Sequence, residues 1–208
     1  MSTGLLVFVL IVIGLGFGWA FHRHSVRRMT PLLKRLALER DGVVESPSPV
    51  LMPKLRFSHA GVAVEVSSAS SGTEGQSARY TYALFSGLDF KQFEFRIHPR
   101  SLQTIGDAWL GTKTPMASVP GRLDERLAIY TNDERRMEAV LSERVQVDLL
   151  SWAAQEKENR IEDVRNYDDK LIYAVTGTLG EYGEYQLLLE TACRFYDAVT
   201  NALTNHPK

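Results

Sequence analysis

The stretch LRFSHAGVAVEV, Leu55 to Val66, decides how the rest of the chain is read. Leu55 and Phe57 alternate with Arg56 and Ser58, and Val62, Val64 and Val66 alternate with Ala63 and Glu65. Strict alternation is the period of a strand with one buried face. The intervening His59-Ala60-Gly61 permits a tight turn, so the stretch predicts an antiparallel hairpin.

The same pattern continues outward on the C-terminal side. After a Ser/Gly-rich loop, Ser67 to Ser77, the residues Tyr80, Tyr82 and Leu84 share one face of a further strand. Ser86-Gly87-Leu88-Asp89 turns the chain, and Phe93, Phe95 and Ile97 line one face of a fourth strand that Pro99 ends. Short turns between half-polar strands favour an antiparallel meander. Ser101 to Asp124 has no clear period and contains Pro115 and Pro120, which marks it as a long loop. Arg126 to Tyr130 alternates again, and Thr131-Asn132-Asp133-Glu134 has the form of a capping box opening a helix. Val145 to Ala154 reads as a helix, with a strand as the alternative. Two strands are expected near Arg160 to Arg165 and Lys170 to Leu179, around the turn Asn166-Tyr167-Asp168-Asp169. Tyr185, Leu188, Leu189, Ala192, Tyr196, Val199 and Leu203 then form one apolar stripe at helical spacing, predicting a long C-terminal helix over Gly183 to Leu203. The fold class is α+β: a mostly antiparallel sheet packed by a long C-terminal helix.

Working outward on the N-terminal side, the chain changes character. Leu5 to Phe21 reads LLVFVLIVIGLGFGWAF, with twelve Leu, Val, Ile or Phe among seventeen residues and no charge. At about 1.5 Å per residue this run covers about 26 Å, close to the hydrocarbon thickness, so residues 4–21 are expected to cross the lipid bilayer as one helix. The flanks argue against a cleaved signal peptide: Met-Ser-Thr-Gly carries no basic side chain, and Trp19-Ala20-Phe21 offers no small-x-small cleavage site. Arg23, Arg27, Arg28, Lys34, Arg35 and Arg40 all follow the run and none precedes it. By the positive-inside rule the N-terminus is expected outside and the soluble domain in the cytoplasm. Gly14 and Gly18 form a G-x-x-x-G pair that lets two such helices approach, although glycine is common in membrane helices in any case. The expected organisation is a transmembrane anchor over 1–21, a basic juxtamembrane helix and Pro/Ser linker over 22–50, and a single domain over 51–208. Thr30 and Pro31 suit the start of the juxtamembrane helix. Its cations, Arg23, Arg27, Arg28, Lys34 and Arg35, are candidates for contact with anionic lipid headgroups, and the stripe Leu32, Leu33, Leu36 either lies on the leaflet or packs on the domain.

Charge and cysteine usage narrow the function. Of 24 Lys/Arg and 25 Asp/Glu, residues 22–40 hold six and one, which leaves 41–208 with 18 and 24 and a net charge of −6. A mildly acidic domain has no basic footprint for nucleic acid. A single cysteine, Cys193, excludes an intramolecular disulfide framework.

The chemical motifs are thin. Gly106 to Thr114, GDAWLGTKT, resembles a phosphate loop in composition, but Thr112 separates Gly111 from Lys113, and backbone amides and lysine then fail to converge on one phosphate. Glu94, Arg96 and His98 project from one strand face and suit anion binding or proton transfer; a solvated, ion-paired sheet face is the plainer account. His22 and His24 are two residues apart on a helix and face away from each other, which suits no metal. Asp168 and Asp169, with Glu162 and Asp163 upstream, lack the spacing and glycine of a calcium loop. The reading names no catalytic, cofactor-binding or metal-binding residue. It favours a non-enzymatic, membrane-tethered interaction or assembly domain with a protein partner or a second copy of itself, against a membrane-anchored enzyme, most plausibly a hydrolase.

Overall fold

A computed structural model describes residues 3–46, 51–71, 78–100, 116, 123, 126–153 and 161–205; within the first helix, side chains are described at Val7 and Phe8 and from Arg23 onward. The elements are α1 (Thr3–Glu39), β1 (Val43–Glu45), β2 (Lys54–His59), β3 (Val62–Ser71), β4 (Ala78–Ser86), β5 (Phe95–Pro99), β6 (Leu127–Thr131), α2 (Glu134–Val140), α3 (Glu143–Ala153), β7 (Ile161–Tyr167), β8 (Lys170–Thr176) and α4 (Tyr182–Asn205).

The hairpin predicted at Leu55–Val66 is present as β2 and β3, with Phe57 opposite Val64 and Leu55 opposite Val66. Its two-residue turn places both Ala60 and Gly61 at positive φ, 49° and 83°. That is the primed geometry whose twist matches the strands. All eight strands form one antiparallel sheet in the order β1-β2-β3-β4-β8-β7-β5-β6. The α+β class with a C-terminal helix therefore stands, but the meander does not run through. It holds from β1 to β4, after which β8 and β7 separate β4 from β5. One row of paired residues crosses seven strands: Leu55, Val66, Ala83, Tyr173, Val164, Ile97 and Ile129. Each of the seven is buried, and at about 25 cal/mol per Å² of apolar surface this row is a main source of cohesion.

α4 lies across that face. Every residue of its predicted stripe, from Tyr185 to Leu203, is buried. Tyr196 stacks on Phe85 at 4.9 Å, and Phe195 meets Phe95 at 5.8 Å and Tyr173 at 5.9 Å. α3 is held to α4 by Asp148, which accepts two hydrogen bonds from Arg194 at 2.6 and 3.0 Å, and by Trp152 Nε1, which donates to Thr191 Oγ1 at 3.1 Å. Residues 145–153 are thus helical, not a strand, and residue 154 lies outside the described residues. Asp133, not Thr131, caps α2, its side chain accepting from the Arg136 amide. Thr131 is the last residue of β6, where its hydroxyl donates to the Glu94 carbonyl.

α1 is one unbroken helix from Thr3 to Glu39, with Pro31 inside it. The helix start expected at Thr30 is absent, and the Thr30 hydroxyl instead donates back to the Val26 carbonyl at 2.7 Å. Met29, Leu33, Leu36 and Ala37 belong to the same core as the sheet and α4. The stripe thus packs on the domain, and β1 adds a further strand from the stretch that follows. Gly42 makes that junction possible: a Cβ there would stand 2.7 Å from the Arg56 carbonyl. Among the described residues no helix is long and apolar enough to cross a membrane. Of the expected span Leu5 to Phe21, only the side chains of Val7 and Phe8 are described, so those at 5, 6 and 9–21, Gly14 and Gly18 included, lie outside the described residues.

On the open face of the sheet, Glu65 gathers Lys54, Arg56 and the Tyr82 hydroxyl at 2.8 to 3.2 Å. Burial would raise the Glu65 carboxyl, but these hydrogen bonds outweigh it and hold it below its usual range.

Candidate functional site

A half-open cavity of about 560 Å³ lies where the segment between β4 and β5 meets the β7–β8 turn and the end of β6. Phe90, Phe93, Phe95 and Tyr130, all buried, supply its apolar lining. Asp89, Lys91, Glu94, Arg96, Asp168 and Asp169 supply its charged lining.

Two asparagine amides shape it. Asn166, at the end of β7, accepts from the Phe95 amide at 2.8 Å and donates to the Phe93 carbonyl at 2.6 Å. Asn132, just past β6, accepts from the Glu94 amide at 2.9 Å and donates to the Gln92 carbonyl at 2.7 Å. Residues 92–95 are therefore gripped from both sides where the chain enters β5, each amide standing in for a ladder partner. Lys91 and Gln92 sit at positive φ, 48° and 62°, and Asp168 at 51°. Gln92 is tied through its carbonyl to Asn132, the Lys91 amide donates to Asp89 at 3.0 Å, and Asp168 lies in the β7–β8 turn.

The structure splits the expected Glu94, Arg96, His98 group. Glu94 and Arg96 line the cavity. Arg96 donates to both carboxylate oxygens of Asp163, at 2.8 and 3.3 Å. His98 is buried instead of solvated, stacked on Tyr130 at 5.4 Å, with Nδ1 2.9 Å from the Pro99 carbonyl. Asp168 and Asp169 reach the cavity, whereas Asp163 is committed to Arg96 and Glu162 accepts from Thr176. Among the described residues no three His, Cys, Asp or Glu side chains gather as metal ligands. Cys193 lies on the buried side of α4, and burial pushes its thiol up to about 11, which leaves it without nucleophilic character at neutral pH.

The basic residues of α1 fare differently. Arg23, Arg27, Arg28, Lys34 and Arg35 are all exposed, on the side of the helix away from Met29, Leu33 and Leu36. Arg35 lies 3.9 Å over the Tyr182 ring and near Glu39. His24 is exposed; His22 and the Gly106 to Thr114 stretch lie outside the described side chains.

Sequence reasoning did not single out Asn132 as a support or Lys91 and Tyr130 as lining residues, and it read Asn166 only as part of a turn. An isolated Asn carries no local signal of a long-range amide bridge, since such residues are common in turns and caps.

A sheet backed by one long helix, with a cavity at the sheet's end, is the α+β architecture that carries the site. No protein-family model matches the chain, and no curated protein matches it in sequence. Solved structures do match in fold. The crystal structure of the mycobacterial trehalose monomycolate transport factor A is similar with a TM-score of 0.50 and 10% identity, over 84% of this chain and 94% of that one. At that identity the likeness is one of fold.

Proposed function

We propose that this chain is a single-pass membrane protein whose α+β domain works by binding a partner rather than by turning over a substrate. The observation that carries this reading is α1. One helix contains both the seventeen-residue apolar run and the turns that complete the domain core, so the domain is tied to that run without a flexible joint. The positive-inside asymmetry assigns the domain to the cytoplasmic side with the N-terminus outside.

The cavity supports binding over catalysis. Asn132 and Asn166 spend their amides on backbone groups, and Arg96 is neutralised by Asp163. A catalytic site needs polar groups converging on a substrate instead. The similar solved structure is described as a transport factor, and the broad class adopted for this chain, a non-enzymatic factor, agrees with that description. Gly14 and Gly18 are the proposed contact between two copies in the membrane.

Affinity capture of the full-length chain from its native membrane tests this, alongside Asp168→Lys/Asp169→Lys and Gly14→Leu/Gly18→Leu variants. The reading expects a reproducible partner that the cavity variant loses. An empty capture, together with substrate turnover by the full-length chain in an activity panel, would overturn it.

A further inference from the structure

α4 and α1 run side by side in the same direction. Arg28 lies against Gly180, with 3.7 Å from its guanidinium to where a Gly180 Cβ would stand. Arg35 covers Tyr182, and the Gln186 amide reaches the Glu39 carboxylate at 3.5 Å. Further along, His59 beside the β2–β3 turn meets Asp197 at 2.9 Å. α4 also follows β4 in the same sense. Its approach is fixed at Thr81, which accepts from the Leu179 amide, and Tyr196 is fixed at Phe85. The domain thus has a near end and a far end relative to the start of α1. The near end holds Ser70 of β3, Arg79 of β4, Gly177 and Gly180; Gly177 and Arg79 are joined by a backbone hydrogen bond at 2.6 Å. The far end holds the turn at Ala60-Gly61, Gly87, Asp168-Asp169 and the cavity, with Gly87 bonded to the Asp169 carbonyl at 3.0 Å.

Resting on the proposal that residues 4–21 span the bilayer, we infer that the near end sits against the headgroup layer, with Arg27, Arg28 and Arg79 facing anionic lipid headgroups, and that the cavity faces away from the membrane. Phe21 and Arg28 are seven residues apart, about 10 Å along a helix. The headgroup layer is about 5–7 Å deep on each side, so Gly180 lies about 3 Å or more beyond it, within the reach of an arginine side chain. Lys34 and Arg35 stand about 20 Å from Phe21 along the same helix, beyond the roughly 8 Å reach of a screened surface potential. Arg35 belongs to the contact with the domain through Tyr182, Lys34 is exposed beyond the reach of the surface, and the five expected lipid-facing cations reduce to those nearest Phe21. From Thr176 to Lys170, β8 rises about 20 Å away from the near end. The cavity beyond Lys170 is therefore open to water-soluble partners, not to lipid. Glu181 is exposed at the near end and opposes the attraction; Glu184 is occupied in accepting from the Gly180 and Glu181 amides.

The test uses the full-length chain with Cys193→Ala, reconstituted in vesicles of phosphatidylcholine alone or with added phosphatidylglycerol. A fluorophore is placed at Ser70→Cys or at Asp168→Cys and quenched by a headgroup-attached spin label. The expected result is strong quenching at position 70, little at 168, and an increase at 70 with phosphatidylglycerol that Arg27→Glu/Arg28→Glu reduces by about fivefold or more. Equal or stronger quenching at 168 in an inserted chain overturns the orientation. Quenching at 70 that ignores both phosphatidylglycerol and the arginine variant overturns the headgroup contact. A chain that fails to float with the vesicles overturns the anchor reading, and this inference with it.

Discussion

At the scale of single residues, Asn166 does more than its place in a turn suggests. Its amide satisfies two backbone groups where the chain enters β5. Asn166→Ala leaves the Phe95 amide and the Phe93 carbonyl without those partners, and the expected cost is about 1–3 kcal/mol. Urea unfolding would measure it, and hydrogen exchange at residues 93–95 should rise more than at β2 or β3. Cys193 gives a second prediction. Its thiol is raised from 9.0 to about 11, so above pH 9 the unfolded chain loses a proton that the folded chain keeps. Stability is full below pH 9 and falls as pH rises toward 11. The buried hydroxyls of Tyr173 and Tyr185 are raised by burial as well and act in the same sense at higher pH. Melting followed from pH 8 to 11 should show a steady fall that is shallower in Cys193→Ala, and a thiol reagent should label the native chain slowly at pH 7.

At the scale of elements, the C-terminal half of α1 is the least expected contributor. Leu33 and Leu36 are completely or almost completely buried, and truncation of either to alanine should cost about 2–5 kcal/mol. Leu38, two residues past Leu36, should cost little; it is 87% exposed. Comparative thermal melts of the three variants would separate a helix packed on the domain from one that only adjoins it. The α3–α4 junction is held by the Asp148–Arg194 pair, in which Arg194 keeps about a third of its side chain in water. Asp148→Ala is therefore expected to cost about 1–2 kcal/mol, less than a fully buried pair would. Local periodicity foretold both helical stripes, because a stripe is a property of consecutive residues. It did not foretell which surface each stripe covers. Leu33 and Leu36 read equally as lipid-facing or domain-facing until α4 and β2 are placed beside them.

At the scale of the whole molecule, Met29, Leu33 and Leu36 together bury enough apolar surface to stabilise the fold by about 5–9 kcal/mol. That is comparable with the entire stability of a typical domain. A chain starting at residue 23 should therefore fold, and one starting at residue 51 should not, as circular dichroism and melting of the two truncations would show. The sheet carries the same lesson. The alternation at Leu55–Val66 settles its own hairpin, since two residues separate the strands and the turn fixes the register. The position of β8 and β7 between β4 and β5 depends on which long-range edges meet, and any of several strand orders satisfies the same alternation. The cavity is a product of that order, because it forms only where the β7–β8 turn is brought against residues 88–94.

By itself the sequence determined the α+β class, the β2–β3 hairpin, the face of α4 and the seventeen-residue apolar run, all of which are written in spacings a few residues long. Only the tertiary structure decided that α1 completes the core, that β5 and β6 form the outer edge, and that Asn132 and Asn166 shape a cavity. Those features join residues between about 38 and 150 positions apart, and their partners are chosen by which apolar faces and unpaired backbone groups bury together.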